Sequence, residues 1–303
     1  MSDRSDHGCV VESYGRRFLV AASGHGLLPC KLLGRRLDVV AGDEVRIERL
    51  AGSDDWTVVE RQPRRNVLSR SDSRGREEPI AANLDQLGIV VAAAPACDPY
   101  IVDRYVAGAC FAGIVPLLVV NKSDLRDESH DLAFVDALRA LGLDTCPVSA
   151  RTGAGLDALI ERLRGRRTLL AGQSGVGKSS LLNAIAGDAV RSTGQLSASS
   201  GEGRHTTVSS AILRLPWGEL ADSPGVRDYA PPVVKLQEVQ RGFVEVGSRA
   251  GGCRFLDCLH LREPQCAVRA AVASGDVDAR RYESYRRLLN LMRQLDEKRN
   301  WAP

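Results

Sequence analysis

The chain has 303 residues, of which 44% are hydrophobic and 26% charged, and its formal net charge is +3. This composition is that of an ordinary globular protein of two or three domains, and the charge is too small to indicate a nucleic-acid partner by itself. No stretch reaches the roughly 18–20 uninterrupted apolar residues of a membrane span, and the first residues carry no apolar signal segment. The eight Cys do not form the pattern of a small secreted disulfide framework. We therefore expect a cytoplasmic protein with no membrane partner.

Short alternating segments separated by turns dominate the N-terminal sixty residues. They lie at 17–21, 27–32, 45–50 and 56–60, with Gly- or Asp-containing turns between them. Strands at a spacing of about ten residues are typical of a small antiparallel barrel. An OB-type β-barrel over residues 1–66 fits best, although the pattern alone does not separate it from another small β-barrel such as an SH3-like one.

Residues 61–79 form a polar stretch without periodicity, which predicts a linker or flexible loop. The stretch carries six Arg, at positions 61, 64, 65, 70, 74 and 76. Such an Arg run is either a solvated surface or a contact to the phosphates of a nucleic acid.

From residue 86 onward, strand-like and helix-like segments alternate. Apolar runs at 87–93, 115–120, 145–149 and 168–171 alternate with helical spacing at 98–113, 129–142, 155–165 and 179–187. Continuous apolar runs are typical of buried parallel strands. The pattern predicts a doubly wound α/β domain, which we place at residues 67–232.

The strongest motif is GQSGVGKS at 172–179, which has the phosphate-loop pattern in the required strand–loop–helix context. Its glycines permit a tight loop whose amides converge on phosphates, and the helix N-terminus adds positive potential. Lys178 would reach the β- and γ-phosphates, and the Ser179 hydroxyl would bind Mg²⁺. The predicted phosphate-binding residues are Gly172, Gln173, Ser174, Gly175, Val176, Gly177, Lys178, Ser179 and Ser180.

A second motif, NKSD at 121–124, follows an apolar strand and is typical of guanine recognition. Asp124 can accept hydrogen bonds from guanine N1–H and the N2 amino group, a donor pair that adenine lacks. Asn121, Lys122 and Ser123 would support the loop, and Ser149 and Ala150 would offer backbone amides to guanine O6. These residues lie at the carboxyl ends of strands, where ligands bind in open α/β sheets. They favour GTP over ATP.

Two further elements complete the set expected of a GTP-binding domain. Asp222 and Gly225, in DSPG, would contact Mg²⁺ through water and the γ-phosphate, respectively. Thr206 or Thr207, after a Ser/Gly-rich stretch, would supply a switch hydroxyl to Mg²⁺; we prefer Thr207. Because the base-reading motifs precede the phosphate loop, the order indicates a circularly permuted P-loop GTPase domain.

The C-terminal region, 233–303, contains a Cys/His cluster followed by a long amphipathic segment. Cys253, Cys258, His260 and Cys266 offer three thiolates and one imidazole, a closed tetrahedral set for a structural Zn²⁺. The alternative is three buried Cys and a surface His. The helical segment 278–301 has an apolar stripe, and its Arg residues at 280, 281, 286, 287 and 293 predict either a solvated face or a nucleic-acid contact. We therefore expect a mainly helical zinc-binding domain.

Together these motifs resemble the RsgA (YjeQ) family of ribosome small subunit-dependent GTPases. The resemblance covers nearly the whole chain: barrel, permuted GTPase domain and Cys/His module, in that order. It implies a GTPase stimulated by the small ribosomal subunit that acts in late maturation of that subunit. It also implies rRNA binding through the barrel and zinc domains, and a role for His205 in positioning the attacking water, since Val226 stands where Ras-like enzymes have Gln. We expect a monomer. The rival hypotheses are an RNA-binding module whose affinity nucleotide regulates, and a GTPase serving a non-ribosomal partner.

Overall fold

A computed structural model describes residues 5–33, 37–49, 55–125, 132–187, 210–222 and 229–301. Within these ranges the chain forms a β-barrel, an α/β layer and a C-terminal group of helices. No helix among them is long and apolar enough to cross a membrane.

The N-terminal barrel consists of five strands that close on themselves. They are β1 (Ser5–Tyr14), β2 (Arg17–Ala22), β3 (Gly26–Leu32), β4 (Glu44–Arg49) and β5 (Trp56–Arg61). The strand order is β1-β2-β3-β5-β4, and β4 pairs back with β1 to close the barrel. Alternate residues such as Val20, Ile47 and Val58 fill its interior. The predicted OB-type barrel is confirmed, but strand β1 was missed because its mixed sequence lacks a clear alternation.

The prediction of a linker or flexible loop at 61–79 is wrong. Residues Val67–Ser71 (β6) and Glu77–Ala82 (β7) form an antiparallel hairpin. Leu68 and Ala81 are fully buried, and Arg70 pairs with Glu78 across the hairpin at 3.0 Å. The high charge hid this alternation from the sequence analysis. Among the described residues, four of the six Arg in the stretch make ion pairs, namely Arg64 with Asp43, Arg65 with Asp85, Arg70 with Glu78 and Arg76 with Asp72.

The α/β layer is built on five parallel strands in the order β10-β9-β8-β11-β13. Their bounds are Gln86–Ala92 (β8), Val115–Asn121 (β9), Thr145–Pro147 (β10), Arg167–Ala171 (β11) and Gly218–Asp222 (β13). The helices are α1 (Pro99–Ala112), α2 (Ala133–Ala140), α3 (Leu156–Leu163) and α4 (Lys178–Ala186). Two apolar clusters cover the sheet, one centred on α1 and the other on α3 and α4. The predicted doubly wound sheet is confirmed.

One antiparallel strand joins the barrel to the α/β sheet. Strand β12 (Ser210–Leu215) pairs with β13 on one side and with barrel strand β1 on the other. The barrel and the parallel strands thus form one continuous sheet of eleven strands.

The C-terminal region is helical, as predicted. A 3-10 segment (Leu236–Gly242) is followed by α5 (Val244–Ala250), α6 (Ala267–Ser274) and α7 (Ala279–Trp301). The predicted apolar stripe of α7 packs in a core with Val239, Phe243 and Val246.

The expectation of a solvated or RNA-facing Arg row on α7 is wrong for its first two members. Arg281 is 2% exposed, and it donates to Asp103 of α1 and Glu245 of α5, both at 2.6 Å. Arg280 donates to the other oxygen of Asp103 at 2.7 Å. These contacts attach α7 to the α/β layer, a use of Arg that spacing on a helix does not reveal.

Candidate nucleotide site and metal centre

The predicted phosphate loop connects the carboxyl end of β11 to the N-terminus of α4. Gly172 and Gly177 have φ values of 143° and 91°, which favour glycine. A Cβ on Gly172 would lie 2.3 Å from the Val90 oxygen, and one on Gly177 would lie 2.5 Å from Asn121 Nδ2. Both positions therefore require glycine for space as well as for backbone conformation.

The Lys178 ammonium lies inside the curve of this loop. Its Nζ donates to the carbonyl oxygens of Gly172 at 2.7 Å and Gln173 at 2.8 Å. Lys178 is also the first residue of α4, and within the described ranges no side chain caps that helix N-terminus. A cation beside uncapped helix amides is a favourable environment for phosphate.

The NKSD loop contacts the phosphate loop directly, although the two are about fifty residues apart in sequence. Asn121 is buried, and its Nδ2 donates to the Val176 oxygen at 2.9 Å. Lys122 has a φ of 58°, and its Nζ donates to the oxygens of Ala94 and Gly175 at 2.7 and 2.8 Å. Asn121 Oδ1 accepts from the Ala150 amide at 3.1 Å, which connects the third predicted loop. The structure therefore brings these three loops together.

The Asp124 carboxylate has partners on both oxygens. Oδ1 accepts from the Ser149 hydroxyl, and Oδ2 accepts from Arg151 Nε at 2.9 Å and Arg151 Nη2 at 2.6 Å. These contacts hold the pKa of Asp124 below its usual value, and the Ser149 hydrogen bond contributes most. The carboxylate therefore stays ionised. Arg151 was missed by the sequence analysis, although it directly follows Ser149 and Ala150.

The remaining predicted residues surround these loops or lie outside the described ranges. Ser174, Ser179 and Ser180 are exposed on the loop and the first turn of α4, and Ser123 lies in a short 3-10 turn after β9. Asp222 ends β13, where its Cα is opposite Leu170 of β11, two residues before the phosphate loop. His205, Thr206, Thr207 and Gly225 lie outside the described residues.

An additional loop not identified from the sequence lines one side of the phosphate loop. The amide of Asp98, which caps α1, donates to Gln173 Oε1 at 2.7 Å. Pro95 lies next to Gly175, such that a Cβ there would be 3.1 Å from Pro95 Cγ. The sequence signal for this loop is its Pro-containing turn after a buried strand.

The Cys/His residues of the C-terminal region form a compact cluster. One ligand atom from each of Cys253, Cys258, His260 and Cys266 lies within 4.8 Å of the others. His260 Nδ1 is 3.5 Å from the sulfurs of Cys253 and Cys266, which are 3.8 Å apart. A tetrahedral zinc site with Zn–S bonds of about 2.3 Å has sulfur–sulfur edges of about 3.8 Å, so the Cys253–Cys266 spacing matches such a site, and the thiolate and imidazole donors suit Zn²⁺.

Neighbouring groups hold these ligands in place. His260 Nε2 lies 3.1 Å from Gln240 Oε1, which favours a proton on Nε2 and leaves Nδ1 to face the sulfurs. Burial lowers the pKa of His260, which keeps the imidazole neutral, as a metal ligand must be. The Glu263 carboxylate accepts from the amides of Leu259, Leu261 and Arg262 and fixes the loop that carries His260. Gln240 lies far from the Cys/His motif in sequence, and no pattern indicated its role.

Residues 61–231 match the family model described as RsgA GTPase. The chain belongs to the RsgA GTPase family. A protein of Chromohalobacter salexigens named small ribosomal subunit biogenesis GTPase RsgA is 42% identical over 290 residues, covering 93% of this chain and 85% of the relative. A protein of Pseudomonas fluorescens with the same name is 40% identical over 291 residues, covering 93% and 84%. The resemblance to RsgA inferred from the motifs is confirmed.

Two solved structures share the RsgA architecture of this chain. The crystal structure of YjeQ from Thermotoga maritima has a TM-score of 0.73 and 30% identity, covering 95% of this chain and 99% of that one. The structure of YloQ, described as a circularly permuted GTPase, has a TM-score of 0.69 and 25% identity, covering 96% of each chain. The predicted circular permutation is therefore confirmed, and it explains why base-reading and phosphate-binding loops meet in space despite their reversed order.

Proposed function

We propose that this protein is a GTP hydrolase that acts in the maturation of the small ribosomal subunit. The observation that carries the proposal is the contact between the NKSD loop and the phosphate loop, through Asn121 to Val176 and Lys122 to Gly175. This contact supports the proposal because it places the predicted guanine-reading loop directly beside the predicted phosphate-binding loop. Family membership and the names of the relatives supply the partner.

In the proposed complex, the base and the phosphates are held by different loops. Asp124 accepts from guanine N1–H and N2, while Asn121 keeps its loop against the phosphate loop. The amides of residues 172–180 and the Lys178 ammonium bind the β- and γ-phosphates. Lys178 would exchange its present bonds to Gly172 and Gln173 for phosphate oxygens.

The residues near the phosphates fit Mg²⁺. The Ser179 hydroxyl lies on the first turn of α4, and Asp222 lies at the end of the neighbouring strand. Hydroxyl and carboxylate oxygens are the ligands that Mg²⁺ prefers, and Thr207 would add a second hydroxyl. The bound ion would neutralise charge on the phosphates, while His205 would position the attacking water.

We assign the Cys/His cluster to one structural Zn²⁺ held by Cys253, Cys258, His260 and Cys266. Four protein ligands leave no open position for a substrate, so the ion would stabilise the fold of the module. The barrel and the zinc module would bind rRNA, and the GTPase domain between them would report the state of the subunit. Because small ribosomal subunits mature in the cytoplasm, the protein would act there. We propose that it acts as a monomer.

The test is GTP hydrolysis by the full chain with and without purified small ribosomal subunits. We expect slow hydrolysis alone and an acceleration of on the order of tenfold or more with small subunits, because ordering of catalytic groups by a partner contributes up to 10³–10⁵ in related enzymes. Large subunits serve as the control particle.

Two variants separate the site from general effects. Lys178→Ala should abolish hydrolysis under both conditions, whereas Arg164→Ala, which changes an exposed Arg paired with Glu161, should behave like the wild type. A protein that hydrolyses GTP without any response to small subunits would refute the assigned partner. Normal subunit maturation in cells that carry only Lys178→Ala would instead support an RNA-binding module in which hydrolysis is incidental.

A further inference from the structure

The Arg151–Asp124 ion pair lies at the point where the guanine base is to be read. The Asp124 side chain is 12% exposed and that of Arg151 is 72% exposed. Arg151 donates through both Nε and Nη2 to a single oxygen, Oδ2. The other oxygen, Oδ1, accepts from Ser149, which is fully buried and belongs to the following loop.

Counting acceptor sites shows a conflict between Arg151 and the base. A carboxylate offers about four acceptor positions, two on each oxygen. Ser149 uses one position on Oδ1, and the backbone amide of Asp124 also bonds the carboxylate, so at most one position on Oδ1 is left for a guanine N–H. Arg151 uses both positions on Oδ2, so the second guanine N–H finds no acceptor there while both Arg151 bonds remain.

We propose that Arg151 sets the affinity of the site for guanine nucleotides by competing with the base for the Asp124 carboxylate. This inference rests on the proposed nucleotide site. Guanine binding displaces at least one Arg151 bond, and re-forming that bond favours release of the base. Arg151 thus weakens the binding of guanine nucleotides. Ser149 does not, because its single bond to Oδ1 leaves room for the base.

The exposure of Arg151 limits the size of the effect. Exposed ion pairs contribute little because solvent and salt screen them. The expected gain on removing the Arg151 side chain is therefore about two- to fivefold in affinity. The gain should decrease as ionic strength rises, since salt weakens the ion pair that competes with the base.

The experiment measures the dissociation constant of fluorescently labelled GDP for the zinc-loaded full chain at low and high salt. Arg151→Ala is compared with the wild type and with Arg164→Ala. Arg164 is the matched control because it also donates through Nε and Nη2 to an exposed carboxylate, that of Glu161, away from the base loop. Thermal melting without nucleotide checks that each variant is folded, and Arg151→Gln repeats the test if the alanine variant is not.

The inference predicts that Arg151→Ala binds about two- to fivefold more tightly at low salt, that this ratio approaches one at high salt, and that Arg164→Ala is unchanged. Unchanged affinity in Arg151→Ala would overturn it, because the base would then reach Asp124 with Arg151 in place. Weaker binding would also overturn it, because Arg151 would then contact the nucleotide favourably. If the wild type binds no guanine nucleotide, the proposed function fails and this inference fails with it.

Discussion

Replacing Asp103 by alanine removes the acceptor that holds α7 against α1. Asp103 is fully buried, and it accepts from Arg281 Nη1 at 2.6 Å, Arg280 Nη1 at 2.7 Å and Ser284 Oγ at 2.5 Å. Without it, Glu245 is the one charged partner that the buried Arg281 retains among the described residues. Two carboxylates and two guanidinium groups become one and two, so Glu245 still compensates Arg281 but the partly buried Arg280 loses its carboxylate partner.

The magnitude follows from those contacts. A hydrogen bond to a charged group contributes about 1.5–3 kcal/mol, and three are lost. Part of this loss is offset because Asp103 no longer has to be desolvated in the folded state. Breaking a buried ion pair by removing one partner usually costs about 3–5 kcal/mol, and we expect a value in that range.

Hydrogen exchange read by mass spectrometry measures this change locally. Amides of α1 and of the first half of α7 should exchange about 10²- to 5 × 10³-fold faster in Asp103→Ala, as a loss of about 3–5 kcal/mol in local opening energy requires. Glu161→Ala is the control, since it breaks an exposed pair with Arg164 and should leave exchange unchanged. Exchange within threefold of the wild type would refute the role assigned to Asp103. Partial recovery in Asp103→Ala with Arg280→Met, which leaves Arg281 paired with Glu245, would identify the uncompensated charge as the cause.

Three further perturbations test the sites. Gly177→Ala should weaken nucleotide binding by at least about tenfold, because a Cβ would lie 2.5 Å from Asn121 Nδ2 at a backbone φ of 91°. Equilibrium titration measures the affinity, and a wild-type value would contradict the loop geometry. Removal of zinc with a chelator, or Cys253→Ser, should unfold the region around α6 and expose it to protease. Cys97→Ser, which lies outside the cluster, is the control and should have no such effect. Retained protection from protease would contradict a structural metal. His205→Ala should lower the single-turnover rate constant of GTP hydrolysis by on the order of 10² with unchanged nucleotide affinity, and an unchanged rate constant would remove His205 from the mechanism.

The parts of the fold that could be predicted from the sequence are those in which local pattern and tertiary role agree. The continuous apolar run before GQSGVGKS is both a good strand and a buried one, so β11 and its loop were found together. The opposite holds for the β6–β7 hairpin, where charged residues such as Arg70 and Glu78 face each other across the strands. Composition suggested a linker there, whereas cross-strand ion pairing and the burial of Leu68 make it regular structure.

Residues that act through a distant partner could not be predicted in this way. Arg281 belongs to a helix with many Arg, and only the three-dimensional position of Asp103 and Glu245 distinguishes it from its exposed neighbours. In the sequence, nothing distinguishes Gln240 from other polar residues. Its role is indicated only by the position of its Oε1, 3.1 Å from His260 Nε2. Arg151 follows the predicted base loop directly, but the competition with guanine depends on the two bonds it makes to a single oxygen.

The attachments of the two outer modules explain how the permuted order can serve a regulated GTPase. The barrel is joined to the α/β layer through β1 and β12, and β12 is the strand next to β13, which ends in Asp222. The C-terminal helical module, which carries the Cys/His cluster, is joined through Arg281 to Asp103 in α1, and the N-cap amide of α1, at Asp98, donates to Gln173 of the predicted phosphate loop. Each module therefore contacts an element that lies next to the proposed nucleotide site. A shift of β13 or α1 on GTP binding would therefore move the attached module directly, without an intervening linker. Conversely, docking of a module on a partner would shift β13 or α1 and so alter the proposed nucleotide site.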